Sequence, residues 1–432
     1  MKIALFYGHA ASNLGDLAIN TGVEALVRNT RPDAFLTVVL FPSAARQHEE
    51  ACKRSFSQNA SIRFVSIPTD TDLIRRYLHT PERLFQDLDI TDVNAVLINA
   101  GEHFFASKDL PNRANLFWRT LPIVAARSLG KKTIVLPSTL GPFDDALARE
   151  ATSSVFSVCD AIGVREKEST NAGKLLNEER QWEVLLDPAF FVTPVAHGFS
   201  DEEAPPKDAF GIAMRLETWG IRVPPQYRLA FRKGQDKEKI KTTKAFQIVQ
   251  QLADLILYRT PNPIELLIQS EADAMLASVL HDSIDSSHRS RLRITRPVSV
   301  ADYLSRLSNL RALLTTRFHG VILAVNANCA VYPAYFAEHG HKIPGLHDLL
   351  ALPRPTPSLS NLHPEQAAQM LYETLTDING VPNVPDASHL ECLRTRTHEW
   401  FAKSLLDVDT QSGDLKAAQL SLRWFGAELI HT

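Results

Sequence analysis

The chain has 432 residues, 44% hydrophobic, 22% charged and 8% aromatic, which excludes disordered, collagenous and coiled-coil classes. Its 46 Lys and Arg against 49 Asp and Glu leave a formal charge of −3. That balance supplies no basic field for generic nucleic-acid or anionic-membrane binding, while leaving room for a local cationic pocket around one small anion. The length predicts roughly two to three domains, with cores that need no disulfide or metal staple.

The four cysteines, Cys52, Cys159, Cys329 and Cys392, never form a CxxC pair. Neither a zinc knuckle nor a disulfide framework is expected, and a reducing cytoplasm fits. The opening MKIALFYGHAASNLGD has too short an apolar core for a secretory signal. Gly320 to Ala337, the longest uncharged stretch, holds Asn326, Asn328 and Pro333. It reads as buried helix, turn and strand rather than a membrane span.

Short apolar runs alternate with helical patterns, the signature of parallel β/α units. In chain order, strands are predicted at Lys2–Tyr7, Ala95–Asn99, Lys132–Pro137, Asp160–Val164 and Val184–Phe190, with helices at Leu17–Arg28, Asn115–Leu129 and Lys167–Asn177. A polar, acidic, double-proline stretch over 197–208 reads as a linker between a first domain, 1–196, and a second, 209–355. Strands are predicted there at Phe210–Arg215, Ile264–Gln269, Leu292–Thr295, Ala312–Thr315 and Ala330–Tyr335. Helices are predicted near Lys244–Tyr258, Glu271–Leu280, Val300–Leu307 and Gly320–Asn326. Thr218–Lys241, with Pro224-Pro225 and basic residues from Arg228 onward, reads as a surface loop or flap. Residues 356–432 show only helical periodicity, at Pro364–Leu375, Ser388–Leu406 and Leu415–Ile430. The expectation is a helical tail across two Rossmann-like doubly wound α/β domains that face one another across a cleft. Ligands in such folds bind beyond the carboxyl ends of the strands.

The first such loop, Gly8 to Asp16, frees the backbone to approach an anion at a helix N-terminus. It is neither a P-loop nor a GxGxxG fingerprint, and a plain turn with Ser12, Asn13 or Asp16 as cap is equally open. Asn99-Ala-Gly-Glu-His103 puts Glu102 and His103 in a turn at a strand end, suited to acid/base or hydroxyl-binding work. Ser138 and Thr139 also follow a strand and could hold a ligand oxygen, with Gly141-Pro142 turning the chain; local turn stabilisation is the plainer reading. Arg165, at a strand-to-helix junction, suits a phosphate or carboxylate, against a surface pair with Glu166 or Glu168. Asp187 is either a ligand or an Asx-turn former.

Leu313 to Ala324 is the most informative segment. A buried strand runs through Thr316-Arg317-Phe318-His319-Gly320 into an apolar helix. Arg317 offers a permanent planar cation and His319 a proton donor or acceptor near neutral pH. The plainer alternative is a buried Arg–Asp pair beside a core histidine. Lys342 adds a cation at the same sheet edge. His339, His341 and His347 lie nearby without standard zinc spacing, so no metal is expected.

These residues resemble the polysaccharide pyruvyl transferase family. The resemblance rests on Asn13-Leu-Gly15-Asp16, Ala100-Gly101, Leu140-Gly-Pro142, Val164-Arg-Glu166 with Ser169, Asp187-Pro-Ala189, and Arg317-Phe-His-Gly320 followed by an apolar helix and Lys342. Asn99-Ala-Gly-Glu102 stands where the family has a Gly-rich turn, Ser138-Thr139 where it has Gln-Ser, and Phe318 where Leu is usual.

The resemblance implies a glycosyltransferase-B-like architecture and transfer of pyruvate from phosphoenolpyruvate to a sugar as a ketal. On that reading Arg165, Arg317, Lys342 and the loop of Asn13, Gly15 and Asp16 bind the donor's phosphate and carboxylate. His319 is the general acid, Glu102 or His103 the base, and Gly320 a further cleft residue with Ser138, Thr139 and Asp187. No cofactor or metal is implied; phosphoenolpyruvate is a substrate. The partner is a glycan or lipid-linked sugar, not nucleic acid, and the Arg228–Lys241 stretch is what a peripheral contact with the inner membrane face would use. A nucleotide-sugar glycosyltransferase would instead need a strand-end carboxylate such as Glu271 or Asp273, and a catalytically silent glycan-binding protein would keep the fold alone.

Overall fold

The computed structural model describes residues 1–9, 13–41, 46–57, 59–68, 70–108, 110, 112–193, 208–218, 237–377, 382–407 and 413–430. The predicted linker falls outside these except for Asp208, as does the predicted flap over 219–236.

The chain forms two compact units, one made of residues 1–11, 16–192 and 391–432, the other of residues 12–15 and 193–390. In the first, β1 (Lys2–Gly8), α1 (Leu14–Thr30), β2 (Phe35–Leu40), α2 (Arg46–Arg54), β3 (Ile62–Ser66), α3 (Thr71–His79) and α4 (Arg83–Asp87) lead to β4 (Ala95–Ile98). Then come β5 (Glu102–Ala106), α5 (Arg113–Ser128), β6 (Lys132–Phe143), α6 (Ala146–Ser157), β7 (Ala161–Val164), α7 (Lys167–Leu176) and β8 (Glu183–Val184). The second unit carries β9 (Phe210–Ala213), α8 (Lys237–Lys241), α9 (Lys244–Arg259), β10 (Ile264–Leu267), α10 (Glu271–Ser283), β11 (Leu292–Thr295) and α11 (Val300–Ser308). It continues through β12 (Ala312–Thr315), α12 (Phe318–Asn326), β13 (Val331–Pro333), α13 (Lys342–Leu350) and α14 (Pro364–Thr376). Two helices close the chain, α15 (Ala387–Leu406) and α16 (Leu415–Gly426).

Both sheets are parallel and doubly wound. The first runs β3-β2-β1-β4-β6-β7-β8 with β5 beside β6, and the second β11-β10-β9-β12-β13. In each, the chain lays strands outward from the first strand, then crosses to its other side. The crossings put topological switch points between β1 and β4 and between β9 and β12, the positions where parallel sheets bind ligands. Strands such as β1 and β4 are buried almost throughout, as sheets covered by helices on both faces require.

Each unit has its own apolar core. In the first, Phe6, Phe104, Phe117 and Phe156 sit with Leu422 and Phe425 of α16. In the second, Phe210, Phe246, Leu252 and Leu314 sit with Leu371 and Leu375 of α14. Side-chain caps start the helices as their sequences allow: Asp145 accepts from Leu147 N and Ala148 N, Thr243 from Phe246 N, Ser299 from Asp302 N and Asp414 from Lys416 N. The stretch read as one tail is divided, α14 lying in the second unit and residues 391–432 in the first.

Several sequence expectations are corrected. Strands β2 and β3 were not anticipated, and Val184–Phe190 is a two-residue strand followed by a 3-10 turn over Pro188–Phe191. Gly141-Pro142 does not turn the chain. Strand β6 runs on to Phe143 because β5 gives it a second partner, with Glu102 opposite Thr139 and Ala106 opposite Phe143. Glu102 and His103 therefore open a strand rather than occupy a turn, and Ser138 and Thr139 lie inside one.

Candidate functional site

In the second unit the pairing register brings charge to one level. Thr315 of β12 lies opposite Ala213 of β9, so Arg317 and Arg215, each two residues further on, leave the sheet together beside the switch point. Thr315 Oγ1 donates to Ala213 O at 2.8 Å and accepts from Arg317 N at 3.0 Å, while Thr316 Oγ1 accepts from Arg215 N at 2.8 Å. The two threonines thus fix both arginine backbones.

The guanidinium of Arg317 is held at one terminal nitrogen. Its Nη2 donates to Ser270 Oγ at 2.6 Å and to Asp273 Oδ1, while Asp273 Oδ2 accepts from Gln269 N at 3.1 Å and Ser270 N at 2.9 Å. Asp273 therefore closes the capping box of α10 and orients the arginine at once. The plainer expectation of a buried Arg–Asp pair is realised to this extent. Yet Arg317 Nε, in a side chain only 7% exposed, has no hydrogen-bond partner, and an unsatisfied buried donor is expensive.

Lys342 opens α13, and His339 precedes it. His339 Nε2 lies 3.0 Å from Leu216 O. Because a carbonyl only accepts, that nitrogen carries the proton and Nδ1 is the bare acceptor, without a partner. Burial, then the charges of Arg215, Lys342 and Arg317, push the His339 pKa down to about 3. His339 is therefore a neutral group ringed by three cations.

His319, in the first turn of α12 and 8% exposed, packs against the segment of residues 13–15, which belongs to this unit. Leu14 N donates to Gln269 O at 3.1 Å, Gln269 Nε2 donates to Asn13 Oδ1 at 3.3 Å, and Asn13 Oδ1 accepts from Gly15 N at 3.1 Å. Any Cβ on Gly15 would collide with the Cβ of His319 and lie 2.5 Å from its Nδ1. Gly320 is likewise closed in, since a Cβ there would lie 2.6 Å from Thr315 Oγ1.

The first unit gathers the remaining candidates into two groups. Arg165 donates from Nε to Thr139 Oγ1 at 2.9 Å and from Nη1 to Asp187 Oδ2 at 2.6 Å. Asp187 also caps the following 3-10 turn by accepting from Ala189 N at 2.9 Å, Glu166 accepts from Thr139 and Ser169, and Ser138 Oγ donates to Leu136 O at 2.8 Å. Arg165 is thus neither a surface pair nor an isolated cation but part of a buried network joining β6, β7 and the 3-10 turn. At the switch point, His9 Nε2 lies 2.8 Å from Ala100 O, Asn99 Nδ2 donates to Tyr7 O at 3.1 Å, and the His9 and His103 rings stand 5.7 Å apart. Gly101, at φ 150°, adopts a backbone that L side chains rarely take, and a Cβ there would collide with His103. Asp16 lies in the first turn of α1.

Sequence reasoning missed Arg215, His9 and the neutral state of His339. Arg215 carried the signal used for Arg317, a cation directly after an apolar strand, but was read as the strand's last residue. The carboxylates that a nucleotide-sugar site would call on are engaged: Asp273 as above, and Glu271 in an exposed pair with Arg296. Among the described residues no group of three or more His, Cys, Asp or Glu could hold a metal ion, and no helix is long and apolar enough to cross a membrane. A polar cavity of about 570 Å³, lined by Lys132, Asp160, Arg180, Glu183 and Lys403 among others, contains none of the candidate residues.

Two doubly wound units with chemistry-bearing side chains at their switch points define a glycosyltransferase-B-like fold. It is similar to the UDP-GlcNAc 2-epimerase of Methanocaldococcus jannaschii, at 10% identity over 92% of this chain and 100% of that one, with a TM-score of 0.53. It is also similar to the UDP-GlcNAc 2-epimerase of Neisseria meningitidis, at 10% identity over 100% of both chains, with a TM-score of 0.50. Such likeness shows the fold alone. No curated protein matches the chain. The family model described as polysaccharide pyruvyl transferase matches residues 13–334, and the chain belongs to that family of transferases.

Proposed function

We propose that the chain transfers the pyruvyl unit of phosphoenolpyruvate onto two hydroxyls of one sugar as a ketal, releasing inorganic phosphate. The observation that carries this reading is the half-anchored Arg317, whose Nε has no partner while Asp273 and Ser270 hold its Nη2. With Arg215 and Lys342, which share the surroundings of His339, it suits a small ligand bearing both a phosphate and a carboxylate.

On this reading His319 protonates C3 of the enol as a first sugar hydroxyl adds to C2 and passes its proton to water. A second hydroxyl then attacks C2, the C2–O bond to phosphate breaks, and Glu102 or His103 accepts the second hydroxyl's proton. Asn13, Gly15 and Asp16 belong to the donor loop, with Gly15 keeping the space beside His319. Arg165, Ser138, Thr139 and Asp187 hold the frame of the first unit. No cofactor or metal enters the scheme. The acceptor is a sugar of a glycan or lipid-linked precursor, and a cytoplasmic location fits the donor.

The test is phosphate release from phosphoenolpyruvate across a panel of glycan acceptors, with mass spectrometry of the product. A pyruvyl ketal on the acceptor with stoichiometric phosphate is expected, and release of a nucleotide from a nucleotide-sugar instead would overturn the reading. In the same assay His319→Ala is expected to lose about a hundredfold or more in kcat; near wild-type turnover by folded protein would remove the general-acid role.

A further inference from the structure

The first unit holds a second cation for which the scheme above has no use. Arg119, on α5, is 7% exposed, and neither its Nε nor its Nη1 has a hydrogen-bond partner. Its guanidinium carbon lies 4.4 Å above the ring centre of Tyr7 and 5.3 Å from that of Phe41. Tyr7 Oη is also buried without a partner. Asp16 adds a favourable electrostatic interaction, and burial lowers the Arg119 pKa to about 10.

Placement gives this arrangement meaning. Tyr7 is the last residue but one of β1, next to β4, at the switch point of the first sheet, and it stands there at φ 67°, a backbone rarely adopted outside glycine. Stacking on aromatic rings holds a guanidinium by its face and leaves its edge of in-plane N–H donors unspent. A guanidinium needed only for packing would be better served by a neutral side chain of the same shape, since burying unsatisfied donors is unfavourable. The unspent donors suit the oxygens of a carboxylate or phosphate.

We propose that Arg119, seated on Tyr7, binds an oxyanion carried by the acceptor, a sugar carboxylate or a phosphate ester, so that the acceptor is an anionic carbohydrate. This rests on the pyruvyl-transfer reading for the word acceptor, though not for the binding itself. The donor's two anionic groups already match the cations of the second unit. Arg119 supplies a site of the same chemistry in the other unit.

The experiment separates binding from turnover. Calorimetric titration is made in an Arg317→Met background, which weakens the second-unit site, with glucuronate, glucose 1-phosphate and glucose as probes. Binding of glucuronate or glucose 1-phosphate, but not glucose, is expected, weakened at least tenfold by adding Arg119→Met. Which of the two anions binds identifies the source of the oxyanion. Arg119→Lys keeps the charge and the stack while losing the fork, and is expected to weaken binding less than the methionine variant, with an unchanged circular dichroism spectrum. Binding of no anion, or equal binding by both Arg119 variants and the parent, overturns the proposal even if pyruvyl transfer is confirmed. If the transfer reading fails instead, the titrations still decide whether Arg119 holds an oxyanion. Where transfer is measurable, Arg119→Met is expected to raise KM for the anionic acceptor about tenfold and KM for phosphoenolpyruvate less than twofold; the reverse pattern would assign Arg119 to the donor.

Discussion

On the proposed reading, Arg317 would serve the donor because it is incompletely satisfied. Asp273 and Ser270 hold Nη2, which removes the entropy of a long side chain before any ligand arrives and aims the remaining donors. A lysine can keep the charge near Asp273 but cannot present a planar pair of donors. Arg317→Lys is therefore expected to weaken phosphoenolpyruvate binding about tenfold or more, read by calorimetry; unchanged affinity would show that the fork does not touch the donor. His339 makes a different prediction. Its pKa of about 3 in the folded chain lies below the ~6.5 of an unfolded histidine, so the unfolded state binds the extra proton between those values. Stability from this group is fully present above about pH 6.5 and is lost as pH falls toward 3, with a slope of at most about 1.4 kcal/mol per pH unit. His339→Gln should flatten the fall in denaturant-measured stability of the second unit between about pH 6 and 4. An equally steep fall in both proteins would mean that His339 titrates normally.

At the scale of elements, the site depends on register and on close approach. Strands β9 and β12 pair Ala213 with Thr315, so two arginines at equal offsets emerge together. The start of α12 comes so close to residues 13–15 that no side chain fits at Gly15. Gly15→Ala is expected to displace His319 and lower kcat by about ten- to a hundredfold, since small misplacements of a reacting group have effects of that order. Wild-type kcat in a folded Gly15→Ala protein would argue that His319 does not take part. The contrast with Arg165 is instructive. Both arginines follow strands and both meet an aspartate, but Arg165 also spends Nε on Thr139, whereas Arg317 Nε has no partner. Sequence alone marks both as strand-end cations, and only the hydrogen-bond geometry separates the arginine whose Nε is spent inside the fold from the one whose Nε is not.

Across the whole molecule, a charge of −3 coexists, among the described residues, with the cations Arg215, Arg317 and Lys342 around His339 and with the lone Arg119 over Tyr7. Local fields of this kind would suit small oxyanions without attracting long polyanions, whose affinity grows with the number of phosphates neutralised. The chain is accordingly expected to pass through a heparin column at about 0.1 M salt, and retention there would reveal a basic surface that the net charge hides. Each doubly wound sheet buries its own core, so each unit has an independent hydrophobic reason to fold.

Alternation of apolar strands and amphipathic helices was enough to give the α/β class, and for β12 the strand limits as well, because a central parallel strand is buried on both faces and reads as an unbroken apolar run; the limits of β11 were legible too, although it is an edge strand carrying Arg293. Strand β3, with Arg63 and a half-buried pattern, lacks that continuity, whereas β2 escaped although it is buried almost throughout. Arg317, His319 and Gly15 were legible as candidates, since charge and glycine between apolar elements are conspicuous along the chain. Which arginine spends its donors inside the fold, which histidine is held neutral, and that Arg119 lies over Tyr7 depend on residues tens to hundreds of positions apart. Hydrogen-bond saturation and desolvation are properties of those neighbours, and only folding chooses them.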